Sequence, residues 1–167
     1  MSQSFPDLVL RERRPPRPPA APEQPPRRTK RQTAAVLGAV PLFSGLPRRA
    51  LERLAGETDE LVFRPGQRVV EEGLLGETLF VVLSGEGKVL RKGRALAFVR
   101  PGDFFGELSA LDGGPRTATV VAETPLEVLR LFRRTLFALV HDEPQLALKL
   151  MDGIVRRVRE IDRRLES

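Results

Sequence analysis

Hydrophobic patterning divides the 167-residue chain into three zones. From Ala34 to Ala55 apolar residues recur at helical spacing, interrupted at Pro41 and Pro47. Pro47 suits the first turn of a helix that runs through Leu51 and Leu54, because a proline costs little where the N–H has no helical partner. From Leu61 to Phe132 the period shortens. The runs Leu61–Phe63, Arg68–Val70, Thr78–Leu83, Lys88–Leu90, Ala95–Val99, Thr117–Ala122 and Glu127–Phe132 are β-rich and parted by turns carrying Gly or Pro. Short strands at this spacing predict an all-β sandwich or barrel. After Arg133 helical spacing returns, with a short helix over about Arg134–Val140 and a longer one over about Pro144–Leu165, for which Asp142 is a candidate cap.

In the long helix Ala147, Met151, Ile154, Val158, Ile161 and Leu165 follow one another at spacings of 4, 3, 4, 3 and 4. Such an a/d stripe predicts either packing on the chain's own β-structure or a parallel seam with a second copy. Arg156, Arg157, Arg159, Arg163 and Arg164 lie off it. Gly153 weakens the helix by roughly 1 kcal/mol relative to Ala, so it marks a bend or a close approach.

Charge is unevenly placed. Residues 1–33 hold eight Lys/Arg, three Asp/Glu and eight of the 15 prolines, including Pro15-Pro16-Arg17-Pro18-Pro19 and Pro25-Pro26-Arg27-Arg28. That composition predicts a disordered or polyproline II tail, either a solvated spacer or a basic arm toward nucleic acid, anionic lipid or an acidic partner. The apolar run 34–40 is too short and too far from Met1 to read as an export signal. Residues 34–167 are nearly neutral, with 20 basic and 19 acidic side chains, and are expected to form a single domain. There are no cysteines and one histidine, His141, which rules out disulfides, thiolate chemistry and multi-histidine metal sites of the cupin kind. No apolar run approaches the ~20 residues of a membrane span, and the location expected is cytoplasmic.

Chemistry concentrates in residues 104–120. Gly106 lets backbone come close to a ligand. Glu107 can accept a hydrogen bond from a hydroxyl such as a ribose 2′-OH. Leu108 and Ser109 would offer backbone N–H groups at a helix start, where orphan donors and the dipole attract an anion. Arg116 can fork onto phosphate oxygens. Each has a plainer reading: a bulge for Gly106, a dipole partner for Glu107, a surface cation for Arg116. With no second carboxylate or metal centre in the motif, Glu107 is not expected to act as a catalytic base, and the chain is not expected to be an enzyme.

The order Phe105-Gly106-Glu107-Leu108, a short spacer, then Arg116-Thr117-Ala118-Thr119-Val120 resembles the phosphate-binding cassette of the cyclic nucleotide-binding domain family. The likeness extends over roughly Val40–Leu165. It takes in Pro41-Leu42-Phe43-Ser44-Gly45-Leu46, Arg64-Pro65-Gly66, Leu79–Gly85 and Pro101-Gly102-Asp103-Phe104. The resemblance implies a β-roll (a double-stranded jelly roll) with N-terminal helices and a long C-terminal helix, binding cAMP or cGMP as ligand and using no cofactor. It also implies a homodimer through the helix at about 144–165. Thr117 stands where a Thr occurs in cGMP-binding members and in channel-type domains that accept cAMP; by itself it is also simply a good strand residue. Val89, Leu96 and Val99 match positions that wall the purine pocket, or are ordinary core. The candidate ligand-binding set is therefore Gly106, Glu107, Leu108, Ser109, Arg116, Thr117 and Ala118, with Val89, Leu96 and Val99.

Two departures stand out. Ser109 replaces the usual Ala or Gly, and Ile161-Asp162 replaces the Thr-Ser pair of the catabolite-activator branch. A lid of Leu148, Met151 or Val155 with Arg156 is the expected substitute. No helix-turn-helix segment follows the long helix in this sequence, so sequence-specific DNA reading by that route is not expected. The reading is a regulatory module that relays ligand binding through its C-terminal helices to an unknown effector protein. The alternative is an interaction protein with the same fold and an unused pocket.

Overall fold

The computed structural model describes residues 21–167, so the expected tail lies outside the described residues as far as residue 20. Helices α1 (Lys30–Gly38) and α2 (Arg48–Glu57), joined through a 3-10 turn at Pro41–Phe43, precede the strands. Strands β1 (Asp59–Phe63), β2 (Arg68–Val70), β3 (Thr78–Ser84), β4 (Gly87–Arg91), β5 (Arg94–Val99) and β6 (Phe104–Phe105) follow. Helix α3 (Glu107–Asp112) interrupts them before β7 (Thr119–Ala122) and β8 (Leu126–Phe132), and α4 (Arg133–Asp142) and α5 (Gln145–Leu165) end the chain.

The strands form two antiparallel four-stranded sheets, ordered β1-β8-β3-β6 and β2-β7-β4-β5. This is a two-sheet arrangement of the kind the pattern predicts, and the mainly-β roll with flanking helices that the resemblance implies. Side chains alternate across a strand, and the run Leu79-Phe80-Val81-Val82 shows why β3 is apolar throughout. Phe80 and Val82 face the space between the sheets, beside Leu126 and Val128 of β8. Leu79 and Val81 face outward with Leu129 and Leu131, and the helices cover that side with Leu37, Phe43, Leu54, Leu136, Leu146 and Leu150. A sheet buried on both faces reads as continuous hydrophobicity rather than alternation.

Two boundaries differ from the sequence reading. Helix α1 starts at Lys30, not at Ala34, because Thr29 and Gln32 form a reciprocal cap: Gln32 N–H donates to Thr29 Oγ1 (3.2 Å) and Thr29 N–H to Gln32 Oε1 (2.9 Å). Residues just upstream are engaged as well. Glu23 pairs with Val62 of the edge strand β1 through both backbone groups (2.9 and 2.8 Å), and Arg28 bridges Glu60 (2.9 Å) and Glu127 (2.8 Å). Asp142 does not cap α5. It closes α4 and accepts from Arg53 (2.7 Å), while α5 begins behind Pro144 with no side-chain cap.

Candidate functional site

The cassette is built by one tight reversal. Strand β6 brings Phe104 and Phe105 into the core, and Gly106 then takes φ 79°, ψ 8°, a left-handed conformation that suits glycine. A Cβ there would lie 2.8 Å from the Thr78 carbonyl oxygen and 2.6 Å from the Arg116 guanidinium. The turn opens α3, whose first backbone bond runs from Ala110 N–H to Gly106 O (3.1 Å). The amides of Glu107, Leu108 and Ser109 precede that bond and form the helix's first turn.

Arg116 is 7% exposed. Its guanidinium donates to the Thr78 carbonyl (2.7 Å), the Thr78 hydroxyl (2.7 Å) and the Gly106 carbonyl (3.2 Å), and lies 5.8 Å from the centre of the Phe80 ring. Among the described residues no carboxylate comes within ion-pair distance of it. Burial therefore pushes the guanidinium below its ordinary pKa, with the Glu107 carboxylate opposing the fall. A buried cation held by neutral acceptors alone is costly unless an anion joins it. Its backbone is pinned too: Arg116 N–H donates to Leu74 O and Gly73 N–H to Arg116 O, both at 2.9 Å.

Glu107 is 4% exposed. Its Oε1 accepts from Arg157 of α5 at 2.5 Å, while its second oxygen has no hydrogen-bond partner among the described residues. Arg157 also donates to the Phe104 carbonyl and lies 5.6 Å from the Phe104 ring centre. Helix α5 thus crosses the cassette and closes one side of a cavity of about 580 Å³.

All ten residues singled out in the sequence line this cavity. Gly106, Glu107, Leu108, Ser109 and Arg116 form its polar floor, Thr117 and Ala118 continue it, and Val89, Leu96 and Val99 wall the β4–β5 side. The expected lid is corrected. Leu148, Met151 and Val155 are 67%, 58% and 50% exposed and do not face the cavity; Ile154, Val158, Ile161 and Arg156 do. The helix docks through Leu146 and Leu150, which set its rotation. Arg157 was read only as an off-stripe cation. Its signal was the glycine one turn before it, the lone break in an otherwise strong helix.

A mainly-β roll with a helix laid across a cavity that has a charged floor and apolar walls is the architecture of a ligand-binding domain. The sequence model of the cyclic nucleotide-binding domain matches residues 60–143, half of the chain, and the chain belongs to that family. It is 35% identical over 131 residues to the cyclic AMP receptor protein of Thermus thermophilus, covering 75% of this chain and 61% of that one. It is 38% identical over 107 residues to the cAMP-dependent protein kinase regulatory subunit of Aspergillus fumigatus, covering 62% of this chain but 26% of that one. The crystal structure of the Thermus thermophilus catabolite activator protein superposes with a TM-score of 0.66 at 36% identity, over 75% of this chain and 62% of that chain. The chain therefore spans less than two thirds of the curated relatives it matches. Among the described residues no helix is long and apolar enough to cross a membrane.

Proposed function

We propose that the chain is a cAMP or cGMP receptor module that transmits occupancy of its cavity through α5 to an effector protein. The observation that carries this reading is Arg116, a buried guanidinium that lines the cavity and has no carboxylate at ion-pair distance among the described residues. A cyclic phosphate would supply that charge while the amides of Glu107, Leu108 and Ser109 face it. The free oxygen of Glu107 would accept a ribose hydroxyl. The base would lie against Val89, Leu96 and Val99, with Thr117 lining the same cavity. Regulation is a population shift: ligand contacts that differ between positions of α5 bias the helix. The exposed apolar side chains Met151, Val155, Val158 and Leu165 support a seam between two copies, in a cytoplasmic protein with no catalysis of its own.

The test is calorimetric titration of the full chain with cAMP and with cGMP, beside Arg116→Ala. Micromolar or tighter binding that falls about a hundredfold or more in the variant is expected, since two charge-assisted bonds are worth roughly 3 kcal/mol or more. Unchanged affinity in a folded variant would remove Arg116 from the site. No binding of either nucleotide to nucleotide-free wild type would favour the unused-pocket reading.

A further inference from the structure

Gly153 sits in the middle of a 21-residue helix that runs unbroken from Gln145 to Leu165, with no positive φ at that position. It is neither a kink nor a cap, yet glycine is a poor helix former. Something else keeps it there. A Cβ at 153 would lie 2.4 Å and 2.6 Å from Cζ and Cε1 of Phe104, closer than side-chain carbons pack. The glycine is a notch into which the edge of the Phe104 ring fits.

The neighbours of that contact decide its meaning. Phe104 belongs to β6, two residues before Gly106 and three before Glu107. One turn beyond Gly153, Arg157 lies over the same ring at 5.6 Å and donates to Glu107 Oε1 (2.5 Å) and to the Phe104 carbonyl. Phe104 is thus held between Gly153 and Arg157. Past Arg157 the remaining α5 residues are all exposed, although Val158 and Ile161 line the cavity. This pair of contacts is the last anchorage of the part of α5 that covers the site.

We infer that Gly153 is a positioning residue for ligand retention: its notch over Phe104 sets the height of α5, so that Arg157 reaches Glu107 and the segment beyond stays over the cavity. The inference rests on the nucleotide-receptor reading. Arg157 and the ligand do not compete, because Arg157 engages one carboxylate oxygen and leaves the other for a hydroxyl. Closing α5 and holding the ligand are therefore cooperative.

Gly153→Ala in the full chain tests this, because the two readings predict opposite signs. If the glycine only weakens the helix, alanine slows hydrogen exchange over residues 153–165 and raises the melting temperature. If it is the notch, the added methyl lifts α5 off Phe104. Exchange over 153–165 then quickens despite the better helix former, and a bound cyclic nucleotide dissociates about tenfold faster. Phe104→Leu, which removes the ring-edge atoms that the methyl meets, is expected to restore both within about threefold in the double variant. Slower exchange with unchanged dissociation in Gly153→Ala would overturn the inference, as would a failure of Phe104→Leu to rescue. Should Gly153→Ala not fold, recovery of a folded, protected α5 in the double variant supports the notch, and no recovery rejects it. If wild type binds neither cAMP nor cGMP, the receptor reading fails, while the exchange measurement still decides whether the notch positions the helix.

Discussion

On the floor of the cavity, Arg116 is buried, bonded three ways and sewn by its backbone to residues 73 and 74. On the roof, Arg157 has a side chain 34% exposed and hangs from a helix whose buried residues, Leu146 and Leu150, lie three and two turns upstream. The floor comes from a contiguous stretch, residues 104–118, packed into the sheet. The roof comes from a segment forty residues later that touches the floor through few side chains. A rigid floor keeps the cation and amides in place before any ligand arrives. A roof with shallow anchorage can change position at small free-energy cost, which a population shift needs. On the proposed reading, binding chemistry and mobility are assigned to different elements, which Glu107 and Phe104 join.

Substitutions can break that contrast. Apart from Arg116→Ala, the largest effect is expected on the floor. Gly106→Val places a β-branched residue at φ 79° and drives its Cβ toward the Thr78 carbonyl, for a loss of about 3 kcal/mol in denaturant unfolding. An unfolding midpoint within experimental error of wild type would show the floor to be as yielding as the roof. Gly76→Ala should separate position from fold. Its Cβ would lie 2.5 Å from Arg116 Nε, the movable end of a side chain, and Gly76 has no left-handed φ. Affinity is expected to fall about thirtyfold, roughly 2 kcal/mol, with the melting temperature nearly unchanged. Equal losses of affinity and stability would mean that the floor cannot be disturbed locally.

Glu107→Gln is expected to weaken binding about tenfold, or roughly 1.4 kcal/mol, by removing both the charge that holds Arg157 and the best hydroxyl acceptor. Combining it with Arg157→Gln in a double-mutant cycle sharpens the comparison: coupling near zero would show that floor and roof are independent. The smallest effect lies outside both. The Asp142 carboxylate is held below the ordinary aspartate range, first by its hydrogen bond with His141 and then by Arg53. Because the folded state favours the ionised form, this stabilisation is present above the ordinary range and is lost as pH falls through it, below about pH 4. Asp142→Asn should make the melting temperature slightly less dependent on pH there and leave nucleotide affinity untouched.

The floor was legible in the sequence because its chemistry is local: Gly106, Glu107 and Arg116 announce themselves within one turn and its spacer. The strands were legible to within two residues because β3 and β8 bury both faces. Strand β6 was not, since two residues, Phe104 and Phe105, carry no period. The roof was legible as a helix, and Ile154, Val158 and Ile161 of its stripe line the cavity, but the residues that dock it, Leu146 and Leu150, lie off that stripe. A regular heptad of Met151, Val158 and Leu165 shows that a helix has an apolar side, but not which flank meets its own domain, and Leu146 and Leu150 decide that. Arg157 was obscured because an arginine on a helix usually reads as solvated. The start of α1 was masked by composition: prolines and arginines around Thr29 hid its capping box.

One contact outside the cavity covers a sheet edge. Strand β1 is the last in its sheet, and such a strand offers unpaired amides and carbonyls to any extended chain that drifts past. Glu23 occupies part of that edge through Val62, and Arg28 secures the occupant across Glu60 and Glu127. Removing the segment from Glu23 to Arg28 would therefore uncover part of that edge and leave Glu60 and Glu127 without the arginine that bridges them. Loss of that segment would open the β1 edge to pairing with another extended chain.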